Sequence, residues 1–147
     1  MPVSVKNLLT GFHGKVPASK FGYFPKISGT RVVWVEWVNG DKWIVYVNNL
    51  KTGSTNRLLP SKKDQFYPSI DCTRVVWDQI YNGMYTVFIK NLTTGVIAKI
   101  SSLSLSTGYF PDISDNIVVW EHPDPSINRE RIYIKNLSTG ISGRLTP

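Results

Sequence analysis

The chain has 147 residues, 41% hydrophobic and 18% charged, a balance that supports one folded core and excludes a disordered chain. No apolar run approaches the roughly 18 residues of a membrane helix, so no membrane span is expected. The formal net charge of +7 admits acidic partners, but the cations are scattered and only Lys62 and Lys63 adjoin, which reads as a solvated basic surface with no nucleic-acid arm.

In chain order, the opening residues from Met1 to Lys6 lack the apolar stretch of a signal peptide, so any export signal is expected to be removed or encoded elsewhere. Residues 1–18 read as two short strands around the turn Asn7-Leu8-Leu9-Thr10-Gly11. Residues 22–60 read as four strands. The next unit, 65–102, shows the pattern in full. Strand A runs from Tyr67 to Ile70 and is led by Pro68, which has no N–H to give a ladder and so belongs at a strand start. Asp71-Cys72-Thr73 turns the chain into strand B, Arg74 to Asp78. Asn82-Gly83 marks a hairpin, because both residues tolerate positive φ. Strand C is Tyr85 to Lys90, a turn follows at Asn91 to Gly95, and strand D is Val96 to Ser101. Residues 108–147 repeat the scheme with an enlarged loop at Pro123 to Asn128. Cys72 is the only cysteine; it can form no internal disulfide, and its place beside a strand implies a buried, inert thiol.

Three markers recur in fixed order. Aromatic-aromatic-Pro-x-Ile begins at Tyr23, Phe66 and Tyr109, at steps of 43 residues. Val-Val-Trp ends at Trp34, Trp77 and Trp120, again 43 apart. Asn-Leu-x-Thr-Gly begins at Asn7, Asn49, Asn91 and Asn136, with steps of 42, 42 and 45. A period of this size fits either propeller blades or helix pairs. The Val, Ile, Trp, Tyr and Thr content and the period-two alternation from Trp43 to Val47 decide for strands. The expectation is an all-β fold of four-stranded antiparallel propeller blades: three complete (22–60, 65–102 and 108–147) and an N-terminal half-blade (1–18) holding strands C and D alone. Two of the Asn markers are also glycosylation sequons, at Asn91 and Asn136, but their place in the repeat implies turn chemistry.

The order Pro-x-Ile-Ser-Gly-x-Arg-Val-Val-Trp, Asn-Gly, Asn-Leu-x-Thr-Gly and Arg-Leu, clearest between Pro25 and Leu59, resembles the repeats of TolB-like β-propellers and of archaeal and bacterial cell-surface proteins. The resemblance covers nearly the whole chain. It implies an extracytoplasmic or cell-surface location and the binding of other proteins or surface polymers. Rings of that family generally have six or more blades in one chain, whereas three and a half are present. Two open apolar faces are therefore expected, and a homodimer is favoured to close the ring.

No catalytic or metal constellation is present, and no cofactor is expected. His13 and His122 have no spaced His, Cys or carboxylate partners, and no phosphate loop or nucleophile elbow exists. The acids Glu36, Asp78 and Glu121 follow each Val-Val-Trp and are expected to anchor blades, to a turn or to an arginine such as Arg31 or Arg74. Binding residues are sought where blades differ. Lys26, Ser69 and Asp112 vary at the middle of Pro-x-Ile on the innermost strands. Trp37 and Trp43 flank the first B–C turn and suit a sugar or protein platform, with blade packing as the alternative. His122 and Arg129 lie in the third B–C turn. The expected function is a non-catalytic module that binds a protein or glycan. The alternatives are a structural segment of a larger surface protein and a channel-based hydrolase or lyase.

Overall fold

The computed structural model describes residues 1–17, 19–60, 63–101, 108–124 and 126–145. They hold fourteen strands and no helix. β1 (Ser4–Lys6) and β2 (His13–Lys15) form a two-stranded antiparallel sheet. Three four-stranded antiparallel meanders follow. Blade 1 is β3 (Gly22–Ser28), β4 (Arg31–Val38), β5 (Lys42–Asn49) and β6 (Ser54–Arg57). Blade 2 is β7 (Gln65–Asp71), β8 (Arg74–Tyr81), β9 (Met84–Asn91) and β10 (Ile97–Lys99). Blade 3 is β11 (Tyr109–Ser114), β12 (Ile117–Asp124), β13 (Arg129–Asn136) and β14 (Ser142–Arg144).

Local chemistry sets these boundaries. The β8–β9 hairpin turns on Asn82 and Gly83 at φ 50° and 79°, the mirror-image turn that matches strand twist. The Asn-Leu-x-Thr-Gly segments are Asx turns. Asn91 Oδ1 accepts the N–H groups of Thr93 and Thr94 at 2.9 and 3.2 Å, and Asn136 does the same for Ser138 and Thr139. The sequon carboxamides therefore serve the turn.

The B strands of blades 1 and 2 are buried on both faces, in unbroken runs from Val32 to Glu36 and from Val75 to Gln79, so the core lies between blades. Val33, Val35, Val45, Leu58 and Leu59 of blade 1 meet Ile70, Val75 and Trp77 of blade 2. Val76, Val87 and Ile100 of blade 2 meet Ile113, Val118 and Trp120 of blade 3. Val3 and Val16, from the β1–β2 segment, meet Val32 and Trp34 of blade 1. Close approach fixes two glycines. A Cβ at Gly22 would collide with Val3 and Trp34, and one at Gly108 would stand 2.8 Å from the Trp120 ring.

Three expectations need correction. Proline does not begin strand A. Each A strand starts up to three residues earlier, and the ladder slips at the proline: register shifts fall between Tyr23 and Lys26, Phe66 and Ser69, and Tyr109 and Asp112. A bulge tolerates the missing N–H as well as a strand end does. Cys72 is exposed, because it occupies the tight A–B turn at φ 51°. The third correction concerns the acids. Glu36 stands two residues after its tryptophan, whereas Asp78 and Glu121 stand one after theirs. Side chains alternate along a strand, so Glu36 shares the face of Trp34, and its true counterparts are Gln79 and His122.

Candidate functional site

Each aromatic-aromatic-Pro bulge puts its second aromatic in the left-handed region: Phe24 at φ 52°, Tyr67 at 46° and Phe110 at 51°. A bulky side chain rarely adopts that conformation, and each instance costs on the order of 1–3 kcal/mol. A regular strand would send the two neighbouring rings to opposite faces; the bulge breaks that alternation and lets them stay in contact, as Phe66 with Tyr67 and Tyr109 with Phe110 do. The second aromatics form an inner row, with ring centroids 4.9 Å apart for Phe24 and Tyr67 and 4.2 Å for Tyr67 and Phe110.

The first aromatics join the B–C hairpins at the same end of the blades. Trp43 touches Trp37 at 5.0 Å, Tyr23 at 5.4 Å and Phe66 at 6.4 Å. Phe66 continues to Tyr85 and Tyr85 to Tyr109. Phe66–Tyr67 and Tyr109–Phe110 contacts link this line to the inner row. The result is one connected rim of nine aromatic rings across three blades. Five of its rings are exposed, Phe24, Trp37 and Phe110 at 43–53%, Tyr23 at 46% and Tyr85 at 39%, and the other four are half-buried.

Polar groups border the inner row. Lys26 and Asp112 flank a shallow cavity of about 210 Å³ lined by Phe24, Tyr67, Pro68, Phe110 and Pro111. Ser69 Oγ donates to Asp112 Oδ1 at 2.5 Å, tying the innermost strands of blades 2 and 3. Burial, and then the hydrogen bond and charge of Glu130, push the Tyr109 hydroxyl up to about 12, so it keeps its proton at neutral pH.

The structure thus brings Lys26, Ser69 and Asp112 together on the inner strands and places Trp37 against Trp43 at the rim. Trp43 is also part of blade-to-blade packing, since it lies against the core shared by blades 1 and 2 and its backbone N–H donates to Asp64 Oδ1. His122 and Arg129 sit at a third place, on the β12–β13 hairpin. The His122 ring meets Tyr133 edge-on at 5.0 Å. Asp124 in that hairpin is held down to about 2 by the Ser126 hydroxyl and by Arg131, whose Nε is 2.6 Å away. Sequence reasoning passed over Phe24, Tyr67 and Phe110 because they recur in every unit. Their signal was the doubled aromatic before proline.

Glu36 and Asp78 anchor, though not through the expected arginines. Glu36 Oε1 accepts from Trp34 Nε1 at 2.8 Å and from Lys20 N at 2.9 Å. Asp78 Oδ2 accepts the Phe110 N–H at 3.2 Å, joining blade 2 to the rim residue of blade 3. Arg74 instead reaches Asn116 Oδ1 and the Asp115 carbonyl in the next A–B turn. Among the described residues, no group of three or more His, Cys, Asp or Glu side chains is arranged to hold a metal ion.

The sequence matches no family model and no curated protein. Solved structures do match. TolB from Acinetobacter baumannii superposes with a TM-score of 0.72 at 18% identity, over 99% of this chain and 38% of that one. The fold is a TolB-like β-propeller. The propeller domain of the Trilobed protease from Pyrococcus furiosus gives 0.71 at 16% identity, over 93% of this chain and 43% of that one. The acylaminoacyl peptidase of Pyrococcus horikoshii also gives 0.71, at 13% identity, over 93% of this chain and 21% of that one. The chain therefore spans less than half of each of these TolB-like propeller proteins, and such identities carry the fold alone.

Proposed function

We propose that this chain is a non-catalytic propeller module that binds a protein or a surface polymer such as a glycan, outside the cytoplasm, across the nine-ring rim. The observation that carries this reading is the exposure of Phe24, Trp37 and Phe110, together with Tyr23 and Tyr85, within one connected aromatic network. Rigid aromatic faces with polar neighbours such as Lys26 and Asp112 are what binding surfaces use for anchors. The backbone strain at Phe24 and Phe110 supports the same reading, since strained conformations concentrate where side chains have work beyond packing. A glycan array and a peptide library screened with the full chain are expected to give a saturable hit. Trp37→Ala and Phe110→Ala are each expected to weaken that hit by about tenfold or more, roughly 1.4 kcal/mol, with the urea midpoint barely changed. No hit, or a hit indifferent to both substitutions, removes the reading.

A second feature favours self-association, with a homodimer as the expected form. Leu145 is 59% exposed, while its counterparts Leu58 and Ile100 are 1% and 2% exposed because a following blade covers them. Val119, Ile132 and Ile134 share that far face of blade 3 and correspond to blade-facing positions in blades 1 and 2. At the other end Leu8 is 88% exposed, whereas its counterparts Leu50, Leu92 and Leu137 pack on the preceding sheet. Light scattering is expected to give twice the chain mass, reverting to the monomer in Leu145→Asp. A monomer for the unaltered chain at high concentration rejects the association.

A further inference from the structure

The cleft between the β1–β2 sheet and blade 1 differs from its counterpart between blades 1 and 2. Equivalent residues line the two: Val5, Asn7 and Lys15 in the first, and Val47, Asn49 and Arg57, 42 positions on, in the second. The first holds about 710 Å³ and the second about 340 Å³. The difference is a strand. β5 has β4 on its inner side and β6 on its outer side, whereas β1 pairs with β2 alone. Ile27 registers the loss. It is 58% exposed, while Ile70 and Ile113 are 6% and 7% exposed, each clustered with a valine of the preceding blade's B strand, Val33 or Val76. The backbone agrees. Asn7 N donates to Phe12 O, and Val16 N to Val3 O. Ladder bonds alternate in an antiparallel pair, so Ser4 and Lys6 turn their N–H and C=O groups toward the open edge.

We propose that this cleft is a docking site for one further β-hairpin of the repeat's inner-strand type, an aromatic-aromatic-Pro-x-Ile strand followed by a Val-Val-Trp strand, added antiparallel to β1. The same chain shows such hairpins in the equivalent places, where β4 lies on β5 and β8 lies on β9. The pairs Trp34 with Tyr46 and Val32 with Asn48 set the register: the incoming tryptophan comes opposite Ser4, and the first valine opposite Lys6. The middle valine then meets Val5 and covers Ile27. Charge narrows the occupant further. Lys6, Lys15 and Lys51 line the cleft with no carboxylate among its lining residues, so an acidic hairpin is favoured. A second folded copy is not the occupant, because its hairpins of this type are already paired with its own β5, β9 and β13. The site is separate from the aromatic rim and does not rest on it.

The test uses a fluorophore-labelled synthetic peptide with the sequence of residues 109–124, which covers β11 and β12 and carries Asp112, Asp115, Glu121 and Asp124 with no Lys or Arg. Titrated with the full chain, it is expected to bind saturably, and its scrambled version is not. Ile27→Asp, a surface substitution checked by an unchanged urea midpoint, is expected to weaken binding at least tenfold; Leu145→Asp, on the far face of blade 3, is expected to leave it unchanged. In the unaltered chain, saturating peptide is expected to slow amide exchange of Ser4 and Lys6 at least tenfold. The proposal is overturned if the peptide binds no better than its scrambled form, if Leu145→Asp abolishes binding while Ile27→Asp does not, or if binding leaves Ser4 and Lys6 exchange unchanged.

Discussion

Trp77→Ala is expected to cost about 3–5 kcal/mol of stability, whereas Trp37→Ala is expected to stay within about 0.5 kcal/mol. The contrast follows from position. Trp77 is fully buried in the cluster where Val33, Val35, Val45, Leu58 and Leu59 of blade 1 meet blade 2. Its ring stacks on Phe88 at 5.8 Å, and its Nε1 donates to Gln79 Oε1 at 3.3 Å. Truncation therefore opens a cavity between two blades and leaves the buried Gln79 oxygen without that donor. Because blades meet only across such seams, the loss falls on the contact that makes two sheets one body. Trp37 makes its ring contact with Trp43 at the surface, and its removal exposes little. Urea unfolding followed by far-UV circular dichroism measures both. Equal midpoints for the two variants contradict the division between seam and rim tryptophans.

That division shows what the sequence could convey. The blades were legible because repetition and strand periodicity are local signals: Val-Val-Trp at a constant step, Asn-Gly between strands B and C, and Asn-Leu-x-Thr-Gly between strands C and D. Turn chemistry was legible for the same reason, and the Asx turns at Asn91 and Asn136 follow from the residue types alone. The rim was only half legible. Trp37 and Trp43 stood out as irregular. Phe24, Tyr67 and Phe110 did not, because a recurring residue reads as architecture until a bulge is seen to turn its ring outward. The acids were misaligned by one residue for a related reason: in a strand, one position is the difference between two faces. Cys72 read as buried because it stands beside a strand and free cysteine is usually buried, whereas the turn it occupies leaves it exposed. Lastly, the open cleft beside β1 is not a property of any residue in it. It emerges only when Ile27 is compared with Ile70 and Ile113 in three dimensions.

Asp78 makes stability depend on pH in a direction opposite to that of most carboxylates. It is fully buried, and burial pushes its carboxyl up to about 7, against the weaker pull of the Phe110 N–H. Oδ2 accepts that N–H, while Oδ1 is buried without a hydrogen-bond partner among the described residues. Below about pH 4, folded and unfolded chains both hold the proton. Between about pH 4 and 7 the unfolded chain releases it and the folded chain keeps it, so the unfolded state binds fewer protons and stability falls as pH rises. Above about pH 7 both are ionised, and the fold carries the whole cost, at most about 4 kcal/mol for a shift of some three units. Asp78→Asn keeps an oxygen for the Phe110 N–H and cannot ionise. The new amide N–H groups bring a desolvation cost of about 1–3 kcal/mol, so the variant is expected to be less stable than the unaltered chain near pH 4.5 and to match or exceed it at pH 8. The deciding quantity is the difference between the two stability curves from urea unfolding across pH 4–8, because contributions from groups other than residue 78 are common to both and cancel. A constant difference across that range shows that Asp78 is ionised in the fold at no cost, and with that burial between blades 2 and 3 is lost as the cause of its raised pKa.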